Sequence, residues 1–173
     1  MRERFDEEIW PHAETVLRLA KLLTHRHADA EDLAQETLMR AYRGLARFDG
    51  RNPRAWLLTI LRNVRVDHLR ARRDVPSSEL TDEVAAPELE GEVQWSDPAA
   101  LLERLSDEVM IAALLELPED IRWALLLVEV EGLDGATAGE VMGVPEGTVK
   151  SRLHRGRAML RKAMAALGEA GSS

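Results

Sequence analysis

Apolar residues recur along this chain at three- and four-residue intervals, the spacing that puts them on one side of an α-helix. Ala13, Val16, Leu17, Ala20 and Leu23 predict a helix from about Asp6 to Thr24, with Pro11 tolerated in its opening turns. His25, Arg26 and His27 read as a connector. Asp29 is placed to cap a second helix, with Asp32 near its positive end, and Ala34, Leu38, Ala41, Tyr42 and Leu45 form the buried stripe. FDGRN at 48–52 predicts a turn, and Asn52-Pro53 starts a third helix reaching about Arg73. That helix is expected to bury Trp56, Leu57, Ile60, Leu61 and Val64. Three helices with short connections make a small bundle.

From Asp74 to about Ser96 the periodicity stops, in a stretch rich in acids, Pro and Ser. Asp97-Pro98 restarts a helix that runs to Glu116, and Pro118 opens another that ends near Gly132. A helix-turn-helix pattern follows. Asp134 can cap a short helix, Gly143 can end it in a left-handed conformation, and Pro145 opens the next. Val149, Leu153 and Leu160 line one side of this last helix, and Gly156 allows a neighbour to approach closely. The predicted fold is all-α: two small helical bundles joined by a flexible acidic linker, with the helix-turn-helix in the second. The boundaries are 1–73, 74–103 and 104–173.

Composition sharpens this. The 173 residues are 45% hydrophobic but only 4% aromatic, which suits helical packing. The absence of cysteine excludes disulfides, thiolate zinc sites and cysteine nucleophiles, and fits a reducing cytoplasm. No window approaches the roughly 18 apolar residues of a membrane span, and the mixed-charge N-terminus is no signal peptide, so a soluble cytoplasmic protein is expected. The net charge of −8 is unevenly spread. Residues 1–73 hold 15 basic and 11 acidic side chains, a balance of +4, whereas 74–106 hold one Arg against nine acids. Between Gly147 and Ala163 there are six Lys or Arg and no acid. A compact cationic helix on an anionic chain is the footprint of a phosphate-binding surface. Lys150, Ser151, His154, Arg155 and Arg157 lie opposite its apolar side, within reach of a major groove.

Two other faces invite a partner. Asp32, Gln35, Glu36, Met39 and Arg43 lie opposite the stripe of the second helix. On the third, Arg62, Val66, Arg70 and Arg73 share a face, with Asn63 and Arg65 beside it. The strings DAEDLAQETLMRAYRGLARF, NPRAWLLTILRNVRVDHLRARR and GVPEGTVKSRLHRGRAMLRK, in that order and spacing, resemble the bacterial sigma-70 family. The likeness is to its small extracytoplasmic-function group, which keeps only regions 2 and 4. The resemblance implies a promoter-specificity subunit with core RNA polymerase and promoter DNA as partners, and an anti-sigma protein as regulator. It assigns core contact to Asp32, Gln35, Glu36 and Arg43. It assigns the −10 element to Phe48, Asn52, Arg62, Asn63, Arg65, Arg70 and Arg73, with Phe48, Asn52 and Asn63 lining a pocket for a flipped base. It assigns the −35 element to Lys150, Ser151, Arg152, His154, Arg155 and Arg157, Arg152 facing partly inward. Trp56 is read as core. In the first helix of the motif, Gly135 to Ala138 depart from the family pattern, and two glycines in so short a helix predict loose packing.

No catalytic residue, metal or cofactor is expected. His25, His27, Asp29, Glu31 and Asp32 are rich in metal-ligating types, but two His at i, i+2 do not share a helix face. There is no Walker loop, dinucleotide-binding turn or nucleophile elbow. Glu129 and Glu131 are read as surface acids. The competing class is a helix-turn-helix regulator acting without polymerase, which accounts for 133–162 but gives 29–73 no purpose.

Overall fold

A computed structural model describes residues 1–73 and 108–171 of the chain, and the side chains of 1–72 and 108–167. The acidic linker and the part of the expected Asp97–Glu116 helix that precedes residue 108 lie outside the described residues. All regular structure among the described residues is helical. Residues 1–21 and 26–73 form one compact unit, and 22–25 and 108–171 form the other.

The N-terminal unit is built from α1 (Arg2–Glu8), α2 (Ala13–Leu23, except its last two residues), α3 (His27–Gly44) and α4 (Pro53–Arg73). Instead of one helix from Asp6 to Thr24 there are two, separated by a tight 3₁₀ turn at Trp10–His12. Pro11 is the cause. It has no N–H to give to the preceding turn, and its ring collides with the carbonyl four residues back. Val16, Leu19 and Ala20 face inward from α2, and Leu17, one residue and about 100° round from Val16, is left 38% exposed.

The cap of α3 also differs from the expectation. The residue before its first turn is Arg26, which makes no side-chain cap bond, and Asp29 lies within the first turn. There its carboxylate accepts a 2.7 Å bond from Arg72 Nη2 near the far end of α4, so the two helices run antiparallel. The buried side of α3 is Ala30, Leu33, Ala34, Thr37 and Ala41, rotated from the expected stripe. Leu38 is half-buried, and Tyr42 is exposed at the rim, where its ring meets Phe5 edge-on at 5.3 Å. Thr37 enters the core because its Oγ1 donates to Leu33 O at 2.7 Å, which satisfies the hydroxyl within its own helix. The α4 start is as expected: Asn52 Oδ1 accepts from Ala55 N at 3.1 Å. Leu57, Leu58, Leu61 and Val64 are buried, while Trp56 and Ile60 are half-buried.

The C-terminal unit holds α5 (Glu108–Glu116), α6 (Glu119–Leu125), α7 (Gly135–Met142) and α8 (Glu146–Gly171). The last turns of α6 widen to π geometry over Leu126–Val130, closed by Glu131 N donating to Leu126 O at 2.9 Å. The helix then stops at Gly132, which has φ +69°. The helix-turn-helix punctuation is as expected. Asp134 caps α7 by accepting from Thr137 N at 2.7 Å, and Gly143 is left-handed at φ +70°.

The packing of that motif is not loose, however. A Cβ on Gly139 would lie 2.6 Å from Val144 O, and one on Gly156 would lie 2.9 Å from Ile121 Cγ2. The glycines therefore let the turn fold onto α7 and let α8 seat against α6. Their cost in helix propensity is offset by contacts no larger residue permits. Gly139→Ala is expected to destabilise the protein by about 1–3 kcal/mol in urea unfolding, because the added methyl meets backbone. Gly147→Ala, with nothing within 4 Å of its Cβ position, should raise stability by about 0.5–1 kcal/mol in the same measurement.

Candidate polymerase and promoter interfaces

The polar side of α3 borders a surface groove of about 480 Å³ shared with α4. Asp32, Gln35, Glu36 and Arg43 all line it, with Met39 among them. The structure adds Arg40 and His68. Arg40 was visible in the sequence as an i, i+4 partner of Glu36, whereas His68 comes from α4 and only folding brings it there. Glu36 is the hub: one carboxylate oxygen accepts from Arg40 Nη2 at 2.6 Å and the other lies 2.6 Å from His68 Nε2. Arg40 reaches on to Asp67 at 2.8 Å. The hydrogen bond from His68, and then the Arg40 guanidinium, hold the Glu36 carboxyl below its usual range against the opposing cost of burial. A depressed carboxyl pKa stabilises the fold above the unfolded value, and that contribution is lost as pH falls through the folded one. Glu36 therefore ties α3 to α4 as well as lining the groove. Asp32, Gln35 and Arg43 are exposed.

On α4, Asn63 and Arg70 are exposed and Arg62 is half-buried. The Arg73 side chain lies outside the described residues. Two expected −10 residues are placed inward. Arg65 is only 9% exposed, close enough to Asp29 to help lower its carboxyl pKa, after the larger effects of Arg72 and Arg26. Phe48 is 5% exposed, with its ring 4.6 Å from that of Trp56. Neither is presented to a strand as the sequence reading expected. The arginine spacing on α4 gave no sign of which side would be covered by α3. Asn52 is exposed at φ +41°, a left-handed conformation that Asn tolerates, and its side-chain oxygen is occupied by the helix cap.

In α8 the apolar side is buried as expected through Val149, Leu153 and Leu160. Lys150, Ser151 and His154 are exposed and Arg155 is half-buried. Lys150 Nζ lies 3.6 Å from Glu146, a loose exposed pair that a phosphate can displace. Arg152 is half-buried, with Nη1 fully covered and without a hydrogen-bond partner, consistent with its inward reading. Arg157 departs from expectation. Its Nε donates to Glu129 Oε1 at 2.7 Å, and Nη2 bonds the same oxygen. Glu129 and Glu131 are 8% and 7% exposed, not surface acids. They lie at a largely buried helix end, beside Leu126, Leu127 and Val130. The apolar run before them in the sequence is the signal for that enclosure.

Two family profiles match the chain: Sigma-70 region 2 over residues 11–75, and Sigma-70 region 4 over residues 107–160. The chain belongs to the sigma-70 family. It is 37% identical over 164 residues to the ECF RNA polymerase sigma factor SigE of Mycolicibacterium smegmatis, a match spanning 93% of this chain and 62% of that relative. It is 35% identical over 169 residues to the RNA polymerase sigma-H factor of Pseudomonas aeruginosa, spanning 94% of this chain and 87% of the relative. Among solved structures it is similar to the sigma factor RpoE of Bartonella quintana, determined in complex with the anti-sigma factor NepR. That match has a TM-score of 0.73 and 29% identity, over 94% of this chain and 98% of the other.

The groove and the arginine-bearing α4 thus belong to region 2, and the motif formed by α7 and α8 belongs to region 4. Among the described residues no group of three or more His, Asp or Glu side chains could hold a metal ion. No described helix is long and apolar enough to cross a membrane. Arg157→Ala is expected to lower stability by about 2–3 kcal/mol in urea unfolding, because it leaves the Glu129 charge enclosed without its guanidinium. Adding Glu129→Gln should recover part of that loss, so a double-mutant cycle distinguishes pairing from DNA contact.

Proposed function

We propose that this chain is a promoter-specificity subunit of bacterial RNA polymerase, with no chemistry of its own and a cytoplasmic site of action. One observation supports this most: region 2 with a charged groove and region 4 with an exposed basic helix face occur in a single chain. A regulator acting without polymerase leaves region 2 unexplained.

In this reading the α3 groove receives a helical element of core polymerase. Asp32, Gln35 and Arg43 meet it directly, and Glu36 holds the groove's two walls together. Opposite charges on a rigid face fix register and speed encounter. Arg62, Asn63 and Arg70, with Arg73 beyond them, follow the −10 non-template strand, and Asn52 borders a base pocket. Phe48 and Arg65 support this face from beneath. Lys150, Ser151, His154 and Arg155 enter the major groove of the −35 element, while Arg152 and Arg157 orient the helix from its inner side. The two folded parts act as separate units, residues 1–73 and 104–173, joined by the acidic segment 74–103. The Bartonella quintana relative was determined with an anti-sigma factor, and a regulator of that kind is the further partner proposed for this chain.

Run-off transcription with purified core polymerase on genomic promoter fragments tests the reading; promoter-dependent transcripts are expected only when this chain is added. Asp32→Lys should weaken core binding by about tenfold or more, read by fluorescence anisotropy, with the helical circular-dichroism signal unchanged. Undiminished binding would leave the groove without a partner. Arg155→Ala should weaken binding to the −35 duplex by about 1–3 kcal/mol and relax its sequence preference. Lys150→Ala should act more weakly and equally on all sequences, as a phosphate contact does.

A further inference from the structure

Helix α1 lies before the residues that match region 2, and one of its side chains reaches the loop that leads into α4. Arg4 Nη1 donates to Leu45 O and Nη2 to Phe48 O, both at 3.1 Å. Its Nε donates to Glu8 at 2.9 Å, which fixes the guanidinium plane from within α1. The same guanidinium lies over the Phe48 ring, 5.6 Å from the centroid, and the other neighbour of that ring is Trp56 of α4. Arg4, Phe48 and Trp56 thus form one stack from α1 through the root of the loop to α4.

The carbonyls that Arg4 grips flank the 3₁₀ turn Leu45–Arg47, where the chain leaves helical geometry and runs extended at Phe48. Leu45 O also accepts the turn's own bond from Phe48 N at 3.1 Å, and the planar guanidinium adds a second donor there while reaching Phe48 O in one fixed plane, a geometry that a single ammonium nitrogen does not hold. The next four residues, 49–52, are all exposed. They are shaped from within by Asp49 accepting from Arg51 N at 2.8 Å and by positive φ at Gly50 and Asn52. The Asn52 cap anchors the far end. The loop is therefore a short exposed span held at two points, one of which is Arg4.

We propose that Arg4 is a positioning residue for −10 recognition, locking the root of the 48–52 loop so that its exposed residues meet an unpaired base at one angle. This rests on the assignment of the region 2 loop to the −10 strand. Recognition of a base edge needs donors held to a fraction of an ångström, and a loop pinned at one end alone does not hold them. Arg4 touches no nucleotide. Its effect is on discrimination.

The test uses holoenzyme reconstituted from the full chain and core polymerase. Its probes are fork-junction DNAs carrying the single-stranded −10 region of a promoter found by run-off transcription, each position varied in turn. Arg4→Ala should cut the preference for the best over the worst base by about tenfold, while core affinity changes by less than about twofold. Arg4→Lys keeps the charge but cannot fork, and should restore little of the preference. If Lys restores it fully, charge alone suffices and the clamp is refuted. If Arg4→Ala weakens matched and varied probes equally, or core binding falls with it, Arg4 merely supports the fold and the proposal is also refuted. Absence of any base preference in the wild-type holoenzyme would remove the −10 assignment together with the clamp. That failure is recognisable because it precedes any substitution.

Discussion

A cationic helix packs best where neighbouring elements supply acceptors for the arginines on its inner side, and both α4 and α8 are cationic. Burying a guanidinium without an acceptor costs several kcal/mol, more than the packing of one leucine returns. Arg157 and Arg122 are met in this way, whereas Arg152 keeps Nη1 covered without a partner. Arg157 finds Glu129, and Arg122, 5% exposed, donates to the carbonyls of Leu115 and Leu117, while at the surface Arg72 pairs with Asp29. Arg70 on α4 and Lys150 on α8 are left on the outer faces.

The same logic joins support to binding in region 2. Glu36, Arg40, Asp67 and His68 tie α3 to α4, and three of the four also line the groove. A partner docking there meets a surface whose charges are already held by one another, so little side-chain order must be created on binding. Asp32 and Arg43 stand outside this network and are the more adaptable contacts.

Close backbone approach does the corresponding work in region 4. Gly139 admits Val144, and Gly156 admits Ile121 and Leu125, so α8 is seated by contacts at both ends of its first turns. A helix that offers one face to a partner must keep its angle, because a small tilt moves its outer side chains by about an ångström or more. The Arg157–Glu129 pair adds a directional bond to that seating.

Most of the architecture was legible in the chain because it is written in local signals. Periodicity marked the helices, Asn52-Pro53 marked the start of α4, and Asp134, Gly143 and Pro145 marked the helix-turn-helix, each acting on residues within one turn of itself. The groove residues Asp32, Gln35, Glu36 and Arg43 were legible too, since a single helix sets which side chains share its polar side. What only the tertiary structure decided is which polar groups are covered by another element. Arg65, Phe48, Glu129 and Arg157 have the residue types and spacing of surface or contact positions, and turn inward because α3, α4 or α8 lies against them. His68 joins the groove across 32 positions of sequence, and Arg4 reaches the loop root across 41 and 44. Such pairings depend on the angle at which two helices cross, a quantity fixed by side-chain packing along their whole length and carried by no local motif.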